Sequence, residues 1–168
     1  MTEARYRDEN NKYEFDFAHC EVWEYHPLAQ KTTSLSDVDF VIDSENEVIF
    51  LEYKNASIDG VANPSAFLCK LKTEEFYLRI SKKFFSSLFL HWACRGNEKD
   101  LPIVYILLIE HPEIDGKIRK KLREKISKQL PFNLKDEQQI KRSVLNKFEV
   151  LNIDEWHQAY PMFKAVAL

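Results

Sequence analysis

Residues 37–54 read DVDFVIDSENEVIFLEYK, two runs rich in Val, Ile, Phe and Tyr on either side of the polar tetrad Ser44-Glu45-Asn46-Glu47. Such runs around a turn-forming tetrad predict a β-hairpin. With the turn centred between Glu45 and Asn46, Asp39 falls opposite Glu52 and Asp37 opposite Lys54. Residues two apart on a strand share a face, so all four charged groups project together, with opposed pairs within about 5.5 Å at Cβ. Val48 and Phe50 continue that face toward the turn, while Val38, Phe40, Ile42, Ile49, Leu51 and Tyr53 cover the other. The open end of the hairpin is therefore expected to gather acids and a lysine into one site.

Two carboxylates at that separation repel unless a cation lies between them or one takes up a proton. Mg²⁺ suits the pair, because it prefers oxygen ligands and is commonly held by one or two carboxylates together with waters and phosphate oxygens. Lys54, on the same face, is then placed to meet a phosphate oxygen or an attacking water. The plain structural alternative is an exposed hairpin face carrying cross-strand ion pairs.

Outward from the hairpin, residues 1–16 offer a weak helical face through Tyr6 and Tyr13, and 18–25 read as a short strand closed by a turn at His26-Pro27. Asn63-Pro64 supplies an N-cap and first helical position for one long helix reaching to about Gly96, with apolar residues at Phe67, Leu71, Leu78, Phe85, Leu88 and Trp92. Pro102 to Ile109 is a continuous apolar run of strand length, expected as a central strand buried on both faces. After Asp115-Gly116, a basic helix carries the apolar stripe Ile118, Leu122, Ile126 and Leu130, ended by Pro131. Residues 135–147 suggest another helix, 148–153 a last strand and 154–160 a terminal helical turn.

The pattern Asp39, then Glu52-Tyr53-Lys54 within VIFLEYKN, followed by a long helix and a buried strand, resembles the PD-(D/E)xK nuclease superfamily. The resemblance implies an α/β fold of restriction-endonuclease-like type: a mixed central β-sheet flanked by helices, an αβββαβ core, and here C-terminal helices and a last strand. It implies Asp39 and Glu52 as Mg²⁺ ligands, with Mn²⁺ able to substitute, and Lys54 as the catalytic lysine. Val38 stands where the family's name has proline. Many members add a glutamate from the first helix; Glu9 and Glu14 are candidates, Glu21 on the following strand is a third, and Asp37 either substitutes for it or pairs with Lys54. On the long helix, Lys72 and Lys83 are expected to contact nucleic acid.

Length and composition narrow the alternatives. At 168 residues, 45% hydrophobic and 30% charged, the chain is expected to be one domain over 1–168. Three isolated glycines allow neither GxGxxG nor GxxxxGK[ST], which removes Rossmann enzymes and P-loop motors. With 24 basic against 27 acidic side chains, bulk positive charge is not available to coat nucleic acid. Cys20, Cys69 and Cys94 form no CxxC pair, and a mixed zinc site from His19, Cys20, His91 and Cys94 lacks matched ligand spacings. No apolar stretch reaches spanning length and the N-terminus has no signal-peptide core, so a cytoplasmic protein without membrane contact is expected. The functional expectation is a divalent-metal-dependent nuclease acting on DNA in preference to RNA, as a homodimer or with a partner protein supplying specificity. The alternative is a catalytically silent nuclease-fold protein serving as a nucleic-acid-binding or scaffold subunit.

Overall fold

A computed structural model describes residues 5–55 and 64–168. Where a helix was expected, the chain opens with two strands, β1 (Arg5–Arg7) and β2 (Tyr13–Asp16), paired antiparallel. The Asp8 carboxylate accepts from the backbone N–H groups of Asn10, Lys12 and Tyr13, and Asn11 adopts the left-handed region at φ 52°, so a tight turn interrupts any helix. Phe15 and Phe17, two apart, are buried together: the apolar period is that of a strand, not a helix. The leading helix of the αβββαβ order is thus not formed by residues 5–16.

The main sheet begins with β3 (Glu21–Trp23), followed by a single helical turn, α1 (His26–Ala29), then β4 (Phe40–Asp43) and β5 (Val48–Asn55). These three strands form an antiparallel meander, and the hairpin register is the expected one, Phe40 opposite Leu51 and Ile42 opposite Ile49. The expected long helix is two, α2 (Pro64–Lys70) and α3 (Glu74–Ala93). Thr73 breaks it, its hydroxyl capping α3 through the Phe76 N–H with Glu74 and Glu75 behind it. The proposed cap Asn63 lies outside the described residues.

The apolar run forms β6 (Ile103–Glu110), which pairs parallel with β5 on one side and with β7 (Lys147–Leu151) on the other. Burial on both faces and both edges explains why seven of its eight residues are buried. Between them, α4 (Gly116–Ser127) is capped by Asp115. Residues 135–146 are not helical beyond a 3₁₀ turn at Phe132–Leu134; tertiary bonds hold them instead, Arg142 donating to the Gly96 and Asn97 carbonyls and the Ser143 N–H to Asp100. The chain ends with α5 (Ile153–Ala159), set by a capping box between Asn152 and Glu155, and β8 (Lys164–Ala167), an unexpected strand paired with β2.

The result is a mixed α/β fold: a five-stranded sheet in the order β3-β4-β5-β6-β7, with a small β1-β2-β8 sheet packed nearby. One apolar layer joins Val41, Val48, Phe50, Tyr105 and Leu107 to α3 and α4. On the opposite face, Phe40, Ile42, Ile49, Leu51 and Ile106 pack with Phe15, Phe17, Trp156 and Phe163. Among the described residues no helix is long and apolar enough to cross a membrane. Glu52 and Lys54 continue the Val48–Phe50 side of β5 and so emerge beneath α3.

Candidate active site

The hairpin ladder stops at Phe40, and what precedes it is held by side chains. The buried Ser87 hydroxyl of α3 accepts the Val38 N–H at 2.8 Å, which draws Val38 into the α3 layer instead of the face it was expected to share with Phe40. Asp39 then turns back so that its Oδ2 accepts the Tyr53 N–H at 2.6 Å, replacing the rung that a β4 carbonyl would have made. Asp39 is thereby brought beside Glu52, as the register predicted, though by a side chain rather than by strand pairing.

Glu52 is fully buried. Its Oε1 lies 2.7 Å from Lys54 Nζ and 2.9 Å from Lys83 Nζ, and Lys83 also donates to Oε2 at 3.0 Å. Burial and the neighbouring Glu52 charge push the Asp39 carboxyl up to about 7, against the Tyr53 hydrogen bond and the two lysines, which pull it down. For Lys54, burial disfavours the ammonium, but the Glu52, Asp39 and Glu9 carboxylates outweigh it and leave the group above its ordinary value. Lys54 is therefore a fixed positive charge at neutral pH.

Asp39, Lys54 and Lys83, but not the buried Glu52, line an open cleft of about 600 Å³ together with Glu9, Asp37, His26 and others. Glu9 is the expected auxiliary acid that reaches it. Glu14 does not, being engaged by Arg5 at 2.9 Å and Arg7 at 3.7 Å on the small sheet. Glu21 pairs with Asp43 at the turn end of the hairpin and lines a different groove. Asp37 lines the cleft but does not oppose Lys54: because the chain has left the ladder, its Oδ1 lies 3.2 Å from His26 Nδ1. Lys72 sits exposed in the turn between α2 and α3, outside the cleft lining. Lys83, expected as a nucleic-acid contact, lines the cleft and is a partner of Glu52.

His26 and Ser87 were not anticipated. A lone histidine before a proline and a serine inside an amphipathic helix carry no sequence signal of a site. The basic face of α4 is partly neutralised, Arg119 and Arg123 being paired with Glu155 and Glu149. Of the residues in the mixed zinc pattern, His91 is buried with its Nδ1 2.6 Å from the Tyr25 hydroxyl, and Cys94 is exposed.

The cleft carries more acids, Asp8, Glu9, Glu24, Asp37 and Asp39, than cations, Arg7, Lys54 and Lys83. A hard divalent ion would find oxygen donors here in the Asp39 carboxylate, driven toward protonation by burial and by the Glu52 charge, and in Glu52 itself, whose oxygens are met by Lys54 and Lys83. No group of three or more His, Cys, Asp or Glu side chains suited to a metal occurs among the described residues, so waters and phosphate oxygens would complete its shell. Comparison with models of known protein families, with curated proteins and with solved structures finds no match to this chain.

Proposed function

We propose that the protein is a Mg²⁺-dependent nuclease hydrolysing phosphodiester bonds, with DNA as substrate in preference to RNA. The observation that carries the reading is the convergence of Asp39 and Lys54 in one open cleft on the buried Glu52 carboxylate, with Asp39 destabilised as an anion by burial and by the Glu52 charge. Asp39 and Glu52 would hold the ion, Mn²⁺ substituting for Mg²⁺; when bound it polarises the phosphate and lowers the pKa of a water. Lys54, charged at neutral pH, faces the negative charge that develops on phosphoryl oxygens during in-line attack and stabilises it without itself accepting a proton. Lys83 holds both oxygens of Glu52 from α3 and so fixes the carboxylate's orientation. In a cleft with more acids than cations, a divalent ion is also what reconciles the site with a polyanionic substrate.

A second reading, a catalytically silent nuclease-fold subunit that binds nucleic acid or acts as a scaffold, is favoured by one feature: both Glu52 oxygens are already met by ammonium groups. Incubation with supercoiled plasmid and with single-stranded DNA and RNA, in Mg²⁺ or Mn²⁺ with and without EDTA, separates the two. The nuclease reading expects metal-dependent cleavage abolished by EDTA; binding without cleavage in either metal would support the silent subunit. A cleft of this size leaves recognition to a homodimer or a partner protein, and three free, dispersed cysteines favour the cytoplasm as compartment.

A further inference from the structure

We propose that His26 is a further catalytic residue of this cleft, the general acid that protonates the leaving oxygen of the phosphodiester, with Asp37 as its positioning residue. This rests on the nuclease reading above. The His26 side chain lines the same cleft as Asp39, Lys54 and Lys83, and is 61% exposed to it and to solvent. Its Nδ1 lies 3.2 Å from Oδ1 of Asp37, a carboxylate only 9% exposed. An ionised carboxylate only accepts, so Nδ1 carries hydrogen and Nε2 is the nitrogen left to exchange a proton. The Gln30 amide nitrogen, one helical turn on, lies 2.6 Å from Nε2, a donor facing the acceptor nitrogen of the neutral ring, so this contact parts when Nε2 takes up the proton it delivers. Asp37 in turn is fixed by the chain that follows it, since the Val38 N–H is tied to Ser87 and Asp39 to Tyr53.

The need for such a group follows from the rest of the site. Lys83 is committed to Glu52, Lys54 is the retained charge that faces the phosphoryl oxygens, and neither Asp39 nor Glu52, if they hold a cation, can deliver a proton. The departing alkoxide is a poor leaving group unless protonated. In the step proposed, the water oxygen forms a bond to phosphorus while the bond from phosphorus to the leaving oxygen breaks, its electron pair going to that oxygen. The leaving oxygen takes the Nε2 proton of the His26 imidazolium, the water's proton passes to solvent, and a solvent proton restores the imidazolium. One water is consumed, one phosphomonoester and one hydroxyl are formed.

The test is plasmid and oligonucleotide cleavage by wild-type protein and His26→Ala with Mg²⁺, each with and without added imidazole, alongside thermal melting of both. His26→Ala should melt with the wild type, lose ~10²- to 10⁴-fold in rate, and regain much of the loss with imidazole, which leaves the wild type unaffected. A fully active His26→Ala, or a loss that imidazole does not restore, would overturn the assignment while the nuclease reading stands. No cleavage by the wild type would instead remove the nuclease reading and this assignment with it.

Discussion

Asp39 is where the energetics of the site are most exposed to measurement. Its carboxyl titrates near 7 in the folded protein and near the ordinary 3.8 when unfolded, so between those values the native state holds more protons than the unfolded one. Stability contributed by this group is therefore lost as pH rises through that window. Asp39→Asn keeps an acceptor for the Tyr53 N–H but cannot ionise. In metal-free buffer it should melt above the wild type at pH 8 by at least 1 kcal/mol, about 2–4 °C for a chain of this size, and match it near pH 4. An equal offset at both pH values would mean that burial and Glu52 do not disfavour the Asp39 anion as described. Lys54 acts differently, through charge at the reaction centre: Lys54→Ala should retain metal and nucleic acid while cleavage falls by ~10² to 10⁴. A fully active variant would show that its place beside Glu52 is only an ion pair.

At the scale of elements, α3 organises the hairpin's open end. Ser87→Ala would leave the buried Val38 N–H without its acceptor, at a cost of about 1–3 kcal/mol. Because Val38 precedes Asp39, the same variant should weaken cleavage more than a substitution of equal thermal cost elsewhere; denaturant unfolding and initial rates measured together would check this. The C-terminal end of α3 is equally tight. A Cβ on Gly96 would stand 2.2 Å from the ring of fully buried His91, so Gly96→Ala should destabilise by about 1–3 kcal/mol, read from the shift in urea midpoint. Neither dependence is written in local sequence. The hairpin and β6 were legible because period-two alternation and a continuous apolar run are local signals. The break at Thr73 was legible in principle, as a capping residue ahead of two glutamates, but the helical apolar spacing runs straight across it.

Across the whole molecule, the regions that sequence misplaced are those that non-local contacts decide. Residues 5–16 and 164–167 become strands because they pair with each other across nearly the full chain and bury Phe15, Phe17 and Phe163 against the outer face of the main sheet. Residues 135–146 stay irregular because Arg142, Ser143 and Asn146 bond to the loop before β6 and to β6 itself. In the site, Glu52 and Lys54 were legible because residues two apart on a strand share a face, and Asp39 because the register points it at Glu52, although a bond from the Tyr53 N–H to its side chain, not the ladder, holds it there. His26, the Ser87 bond to Val38 and the Lys83–Glu52 pair were not, because each depends on how a helix lies against the hairpin rather than on spacing in the sequence. The central claim is that Asp39 and Glu52 together hold one divalent ion. Calorimetric titration of Mn²⁺ into the wild type, Asp39→Asn and Glu52→Gln measures it without any dependence on turnover: the account predicts one site in the wild type that weakens sharply in both variants, and undiminished binding in either variant would contradict it.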